Sequence, residues 1–361
     1  MELGQLLERL VIARGSDLHL VSGDPPRMRL YGDLKTVSDH RLSVSDTSEL
    51  LFSIMSGRIR NAFELNDNID FSYMIEGLAR FRVNVFRHLD GIGGVFRAIP
   101  TSTLSIEQLS LPAVLGSMAS QKQGLVLVTG KTGSGKSTTL AAMIDSINRN
   151  IKGHIITIED PIEFMHPRRK CLISQREIGT HTPSFASALR SALREDPDVI
   201  LVGEMRDLET MSLAVTAAET GILVLATLHT NSAPTTVDRI INTFPVEKQS
   251  HIRTMLSTSL RGVASQQLVK RADGEGRVAA VEVMINTPAV ANIIREGKTD
   301  QIENAIQSGA LLGMQSMDNA LRKLVDSQVI TGRDAYTNCF DKTAFEQYVQ
   351  DQDNQGPMQA S

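Results

Sequence analysis

A glycine-rich stretch that contains a lysine and a serine is the part of this sequence best suited to chemistry. Residues 130–137 read GKTGSGKS and fit the pattern G-x-x-x-x-G-K-[ST]. The apolar run GLVLVTG (124–130) precedes it, and apolar residues at helical spacing follow from Leu140 to Ile147. A strand–loop–helix junction of this kind directs backbone N–H groups and a helix N-terminus at phosphate oxygens. The pattern predicts a site for a nucleoside triphosphate.

Within this stretch each side chain has an expected task. Lys136 is expected to reach the β- and γ-phosphates, and the Ser137 hydroxyl to ligate Mg²⁺. ATP is favoured over GTP, because no Asn in the chain is followed by Lys and the guanine-reading motif Asn-Lys-x-Asp is therefore absent. The residues predicted to bind the nucleotide are Gly130, Thr132, Gly133, Ser134, Gly135, Lys136, Ser137 and Thr138.

Polar residues follow other predicted strands, where the carboxyl ends of a parallel sheet form ligand sites. Glu204 ends DVILVGE (198–204) and is expected to hold Mg²⁺ directly or through water. The segment ITIEDPIEF supplies Glu159, Asp160 and Glu163, one of which should orient and deprotonate the attacking water. His229, at the end of ILVLATLHT, is placed to hydrogen-bond the γ-phosphate.

Arginines alternate with apolar residues before the phosphate loop. In ARFRVNVF (79–86) Phe81 and the valines fall on one face of a predicted strand, and Arg80 and Arg82 on the other. A second short strand, predicted within 91–100, contains Arg97. Two interpretations remain open from this pattern alone: solvated charges, or side chains that reach the γ-phosphate of a neighbouring subunit.

The order of elements predicts an α/β fold in four segments. Residues 1–99 are interpreted as a small mixed domain, and residues 100–113, which begin and nearly end with proline, as a linker. In residues 114–345 strands alternate with helices, which predicts a parallel sheet covered on both faces. The chain is expected to be mostly helical from about residue 245, and residues 346–361 to be disordered.

The composition is typical of a globular protein and argues against a nucleic-acid-binding, secreted or membrane-spanning one. Of 361 residues 41% are hydrophobic and 22% charged, and the net charge of −4 gives no electrostatic footprint for nucleic acid. The two cysteines are expected to be packing residues in a reducing compartment. The acidic N-terminal segment is unlike a signal peptide, and no apolar run is long enough to cross a bilayer. We expect a cytosolic protein that reaches a membrane only through partners.

Taken together, these residues resemble the type IV pilus retraction motors of the PilT family, within the superfamily of hexameric secretion ATPases. The similarity extends over nearly the whole chain. The stretches that carry it, besides the phosphate loop and ARFRVNVF, are GSDLHL (15–20), TIEDPIEF, SALREDPDVILVGEMRDLET, TLHTNSA and GMQSMDNAL (313–321).

The resemblance implies a PAS-like N-terminal α+β domain followed by a RecA-like P-loop ATPase core with C-terminal helices. It implies that Glu163 is the general base, that Glu204 and Ser137 are associated with Mg²⁺, and that His229 is the histidine-box residue. Arg82 and Arg97 are implied to be paired fingers that act on bound ATP.

The implied partners are five further copies in a hexameric ring and a pilus platform protein of the inner membrane. A second retraction or assembly ATPase is a further possible partner, and nucleic acid is not one. The implied location is the cytoplasmic face of the inner membrane, reached through partners.

Three alternatives to a retraction motor stay open. A pilus assembly or type II secretion ATPase shares the nucleotide motifs, but typically has a four-cysteine zinc insertion, which two cysteines exclude, and a longer region before the phosphate strand, which begins here at Gly124. A DNA-translocating motor is disfavoured by the acidic charge and by four tyrosines without tryptophan. An accessory or non-catalytic paralogue is suggested by AVANIIRE (289–296), where Ala291 replaces the first arginine of the retraction signature.

Overall fold

The computed structural model describes residues 2–13, 15–30, 33–99 and 103–349. The chain divides into two compact units, Met1–Ser102 and Thr103–Ser361. Of the predicted linker 100–113, the first three residues lie outside the described residues, and from Thr103 onward the chain belongs to the second unit, where Ile106 and Leu111 are buried in the core. Residues 350–361 of the predicted disordered tail also lie outside the described residues.

The described part of the first unit has a six-stranded antiparallel sheet in the order β3-β2-β1-β6-β5-β4. The strands are β1 (Asp17–Val21), β2 (Arg27–Leu30), β3 (Asp33–Thr36), β4 (Asn68–Ile75), β5 (Ala79–His88) and β6 (Gly91–Ile99). The helices are α1 (Leu3–Ile12), α2 (Val44–Phe52) and α3 (Gly57–Asn66).

The two faces of this sheet differ in polarity. Phe81, Val83 and Val85 are fully buried in a cluster with apolar residues of all three helices, while Arg82 on the same strand is exposed. The period of two predicted for residues 79–86 is therefore confirmed, and β5 pairs antiparallel with β6. One face of the sheet is left for charged side chains.

The second unit is built on a seven-stranded sheet in the order β13-β12-β7-β11-β10-β8-β9. All neighbouring strands are parallel except β12 and β13. The strands are β7 (Gly124–Thr129), β8 (His154–Glu159), β9 (Leu172–Glu177), β10 (Val199–Val202), β11 (Leu223–Leu228), β12 (Leu260–Lys270) and β13 (Arg277–Ile285).

Helices cover both faces of this sheet, as predicted, and each face has its own apolar core. The helices are α4 (Val114–Ala119), α5 (Lys136–Asn150), α6 (Phe185–Ala192), α7 (Leu208–Glu219), α8 (Ala233–Thr243), α9 (Val246–Ser259), α10 (Pro288–Glu296), α11 (Ile302–Ser308), α12 (Met317–Asp326) and α13 (Gly332–Asn338). Short 3₁₀ turns lie at Thr299–Gln301, Ala310–Leu312 and Thr343–Phe345. Within the described ranges, none of the helices has both the length and the apolar character that a membrane crossing requires.

The expectation of a mostly helical chain from residue 245 is wrong for β12 and β13. The two strands form a hairpin, and β12 also pairs in parallel with β7, so that Val263 lies opposite Leu127 in the middle of the sheet. Short apolar runs such as RVAAVEVMI are compatible with a buried helix or a buried strand, and here the tertiary pairing decides. The strand β9 was not predicted either.

Candidate nucleotide-binding site

A cavity of about 480 Å³ opens where the parallel strands of the second unit end, within the range of typical ligand sites. Six of the eight predicted phosphate-loop residues line it: Thr132, Gly133, Gly135, Lys136, Ser137 and Thr138. Ser134 lines a neighbouring cavity, and Gly130 is buried behind the loop. Four acidic residues (Glu159, Asp160, Glu163 and Glu204) and His229 also line it, and Phe164 and Phe185 add apolar surface. The cavity therefore has an end suited to phosphates and an apolar wall.

The loop takes its shape from backbone angles that favour glycine. Gly130, Gly133 and Gly135 have φ values of 139°, 79° and 88°, and side chains are strained in this region. Helix α5 begins immediately afterwards at Lys136, so its unpaired N–H groups face the cavity. This is the strand–loop–helix junction predicted from the sequence.

Lys136 lies between the loop and the carboxylates. Its Nζ donates hydrogen bonds to the carbonyl oxygens of Gly130 (2.8 Å) and Lys131 (3.1 Å). Burial lowers the pKa of Lys136, while the charges of Glu204 and Glu163 oppose that shift. The ammonium group is therefore within electrostatic reach of both predicted catalytic acids.

Glu204 and His229 are brought together because β10 and β11 are adjacent and parallel. His229 Nε2 lies 3.0 Å from Glu204 Oε1, and Arg206 Nε lies 2.7 Å from the same oxygen. Burial raises the pKa of Glu204, but the hydrogen bond from Arg206 and the interaction with His229 outweigh it, so the pKa falls below its usual value. Glu204 is thus an ionised carboxylate at neutral pH. Arg206 was not among the predicted site residues.

The end of β8 and the turn after it present three carboxyl groups at the cavity, and two of them, Glu159 and Glu163, differ in environment. Glu163 is exposed at the cavity, and its backbone N–H lies 3.4 Å from Glu159 Oε2. Glu159 accepts a hydrogen bond from the Thr157 hydroxyl at 2.6 Å, and Gln175 lies 3.4 Å away. Burial raises the pKa of Glu159 to about 7. Glu159 therefore holds its proton up to near neutral pH, whereas Glu163 faces the cavity.

The oxygen donors present fit a magnesium ion that is held mainly by phosphates. Mg²⁺ usually keeps several waters and takes one or two protein oxygens in addition to phosphates, and Ser137 and Glu204 both line the cavity. Within the part of the chain that the structure describes, no group of three His, Cys, Asp or Glu side chains could hold a metal by itself. Both Glu204 oxygens are engaged by Arg206, so contact through water fits this carboxylate best.

Arg82 and Arg97 belong to the first unit, where they are directly opposite each other on β5 and β6. Like charges in this position disfavour the pairing of strands. Each arginine has an acid beside it: Arg97 Nε lies 2.8 Å from Asp17 Oδ1, and Arg82 Nε lies 3.5 Å from Asp70 Oδ1. The structure places the two predicted fingers side by side on an exposed sheet face.

Two buried polar residues on the neighbouring strands β12 and β13 were also not predicted. Gln266 on β12 is hydrogen-bonded to the phosphate loop, and Glu282 on β13 accepts the N–H of Ala233 at 2.6 Å. Glu282 also accepts from the N–H of Met317, so it binds the first residues of α8 and α12. Burial raises the pKa of Glu282 to about 7. The only sequence signal was a polar residue within an apolar run.

The chain is similar to proteins of known function over most of its length. Residues 68–348 match the model of the family described as type II/IV secretion system protein. The type IV pilus retraction ATPase PilT of Pseudomonas aeruginosa is 51% identical over 335 residues, which cover 93% of this chain and 97% of that protein. The twitching motility protein of Neisseria gonorrhoeae is 50% identical over 327 residues, covering 89% and 87%.

A solved structure agrees with these sequence matches. The crystal structure of the pilus retraction motor PilT with bound ADP superposes with a TM-score of 0.90 at 44% identity, and covers 96% of this chain and 99% of that one. The residues matched by the family model, 68–348, include the phosphate loop and every residue that lines the strand-end cavity. The chain is therefore an ATPase of the type II/IV secretion system protein family and belongs to its type IV pilus retraction ATPases.

Proposed function

We propose that this chain hydrolyses ATP in the strand-end cavity as one subunit of a hexameric motor that withdraws type IV pili. The observation that supports this most is the arrangement of Lys136, Glu204 and His229 around a phosphate loop of the expected shape. An ammonium group, a carboxylate and an imidazole within one cavity suit a triphosphate and the water that attacks it.

In this proposal the loop N–H groups and the N-terminus of α5 hold the phosphates, and Lys136 leaves the loop carbonyls to pair with the β- and γ-oxygens. Glu163 takes the proton of the attacking water, because its carboxylate is exposed to the cavity. Mg²⁺ held near Ser137 and Glu204 would neutralise phosphate charge.

His229 is proposed to report whether the γ-phosphate is present. Its ring touches Glu204 at 3.0 Å, so a hydrogen bond from His229 to phosphate changes the partners of that carboxylate. The loop that contains His229 leads directly into α8, whose N-cap is Ser232. A change at the phosphate can therefore be passed to a helix, as in other phosphate-linked switches.

The first unit is proposed to be a PAS-like module that acts on nucleotide bound by a neighbouring subunit. Its support is the pair Arg82 and Arg97, two like charges on one exposed face. An anion would relieve the repulsion between them, and arginines are well suited to bind phosphate. Loss of the γ-phosphate would release this contact and let the units reorient around the ring.

The proposed partners are other copies of this chain and a platform protein of the inner membrane, which the ring would turn from the cytoplasmic side. Assembly of pili, rather than retraction, is the second candidate because the nucleotide chemistry would be the same. The PilT similarity favours retraction.

A deletion strain complemented with wild-type or Lys136→Ala chains distinguishes the two directions. Retraction predicts excess surface pili and no twitching without the gene, both corrected by the wild-type chain but not by the variant. Fewer pili after deletion would instead support assembly, and unchanged piliation would contradict both.

A further inference from the structure

Gln266 lies where β12 extends beyond the end of β7, beside the phosphate loop. The residue before it, Ser265, pairs with Thr129, the last residue of β7. Gln266 is only 4% exposed, although its side chain is an amide. A buried amide requires hydrogen-bond partners, since an unpaired one is costly.

The Gln266 amide is bonded to both sides of the loop–helix junction. Its Nε2 donates to the Ser134 carbonyl at 2.7 Å, and its Oε1 accepts from the Thr139 hydroxyl at 2.7 Å. A carbonyl can only accept, so the Ser134 contact fixes which end of the amide is nitrogen. Thr139, in the first turn of α5, is 1% exposed. One side chain therefore ties the loop to the helix that follows it.

Two glycines of the loop lie so close to Gln266 that a larger residue would not fit. A Cβ on Gly130 would collide with the backbone oxygen of Gln266, and a Cβ on Gly135 would lie 2.7 Å from Gln266 Nε2. The close approach of β12 thus explains two of the loop glycines by contact, in addition to their φ angles.

The contact with Ser134 also sets the direction of an N–H group. In a trans peptide the C=O and the following N–H point in opposite directions. When Gln266 holds the Ser134 carbonyl toward β12, the Gly135 N–H must point away from β12, and Gly135 lines the cavity. A phosphate-binding N–H is therefore oriented by a residue 131 positions further along the chain, counted from Gly135 to Gln266.

We propose that Gln266 is a positioning residue that holds the phosphate loop in its nucleotide-receiving conformation. It acts through the Ser134–Gly135 peptide and Thr139, and does not itself touch the nucleotide. The inference rests on the proposed role of the phosphate loop in binding ATP.

The test is the affinity of the full-length chain for a fluorescent ADP analogue, together with kcat and KM for ATP. Gln266→Met keeps the length of the side chain and removes both hydrogen bonds, and it should weaken ADP binding and raise KM about tenfold, the size expected for buried hydrogen bonds. Gln267→Met is the matched control, because Gln267 is the next residue on β12 and bonds the Asn338 carbonyl instead. It should bind ADP as the wild type does.

Circular dichroism verifies that each variant is folded at the assay temperature. A folded Gln266→Met chain with wild-type ADP affinity, or with only a lower kcat, would overturn the inference. If Gln266→Met does not fold, the same binding assay is made with Thr139→Val, which removes the hydroxyl that bonds Gln266, and with Thr139→Ser, which keeps it. Weaker ADP binding by the valine variant alone supports the inference. Wild-type ADP binding by both variants overturns it. Lys136→Ala tests the phosphate loop as a nucleotide site separately from the role of Gln266. Wild-type ADP binding by Lys136→Ala would contradict the proposed nucleotide site itself.

Discussion

The two sheets of this protein present functional side chains in different ways. The sheet of the second unit is covered on both faces, so the acids and the histidine that line its cavity lie at or just beyond the carboxyl ends of β8, β10 and β11. In the first unit the described helices pack on one face of the antiparallel sheet, and Arg82 and Arg97 lie on the other. A sheet that is covered on both faces can expose functional side chains only at its strand ends, whereas a sheet covered on one face can expose them along the other face.

The charges of the two regions are also stabilised differently. Glu204 at a strand end has Arg206 and His229 as fixed partners within 3.0 Å. Arg82 and Arg97 face each other as like charges, and each relies on one neighbouring acid. The first arrangement lies in a cavity of one unit, whereas the two arginines of the second lie on an exposed sheet face, where an anion can approach both.

The largest expected effect on ATP hydrolysis concerns the exposed sheet face of the first unit, which carries Arg82 and Arg97. Arg82→Ala should lower kcat for ATP on the order of 10³-fold in the assembled ring, because it removes a finger from the transition-state phosphate. Its partner Asp70 is exposed, so the free energy of unfolding should change little. Arg87→Ala, on the same strand and paired with Asp67, is the control for loss of charge. Equal ATPase rates for the two variants would remove Arg82 from the mechanism.

The next effect concerns a buried acid behind the strand ends. Burial, with smaller contributions from the charges of Glu303 and Asp318, raises the pKa of Glu282 to about 7. A pKa that is higher in the folded state stabilises the fold at low pH, and this stabilisation is lost as pH rises through about 7. The Glu282→Gln substitution keeps the size of the side chain but replaces the carboxyl group with an amide, which does not titrate.

Between pH 5 and 8 the wild type should therefore lose about 3 kcal/mol of unfolding free energy relative to Glu282→Gln. Denaturant unfolding at several pH values measures this difference. A constant difference between the two chains over that range would contradict the assigned state of Glu282. Glu159, with a pKa also near 7, is present in both chains and cancels.

The smallest effect concerns a single contact at a strand end. His229→Ala should lower kcat about tenfold, the size of one hydrogen bond to a charged group. The Glu204–Arg206 pair remains in place, so nucleotide affinity should stay near the wild-type value. His251→Ala, an exposed histidine on α9, is the control. A wild-type kcat for His229→Ala would show that the imidazole of His229 contacts Glu204 without taking part in hydrolysis.

Local spacing was enough to predict the phosphate loop and the parallel sheet around it. The strand-end positions of Glu204 and His229 followed from the rule that parallel strands end at one edge, and the structure places them 3.0 Å apart. Gln266 and Glu282 could not be predicted in this way. Their partners are distant in sequence, and their strands were taken for helix because buried apolar runs have no distinctive period.

Hydrolysis is proposed to depend on Glu163, which activates water in the strand-end cavity. Steady-state ATP hydrolysis by Glu163→Gln, with ADP affinity measured on the same preparation and Glu247→Gln as an exposed control, tests it most directly. If Glu163 is the base, Glu163→Gln should lower kcat by at least about 10²-fold, with ADP affinity within twofold of the wild type. Hydrolysis by Glu163→Gln at the wild-type rate would contradict it.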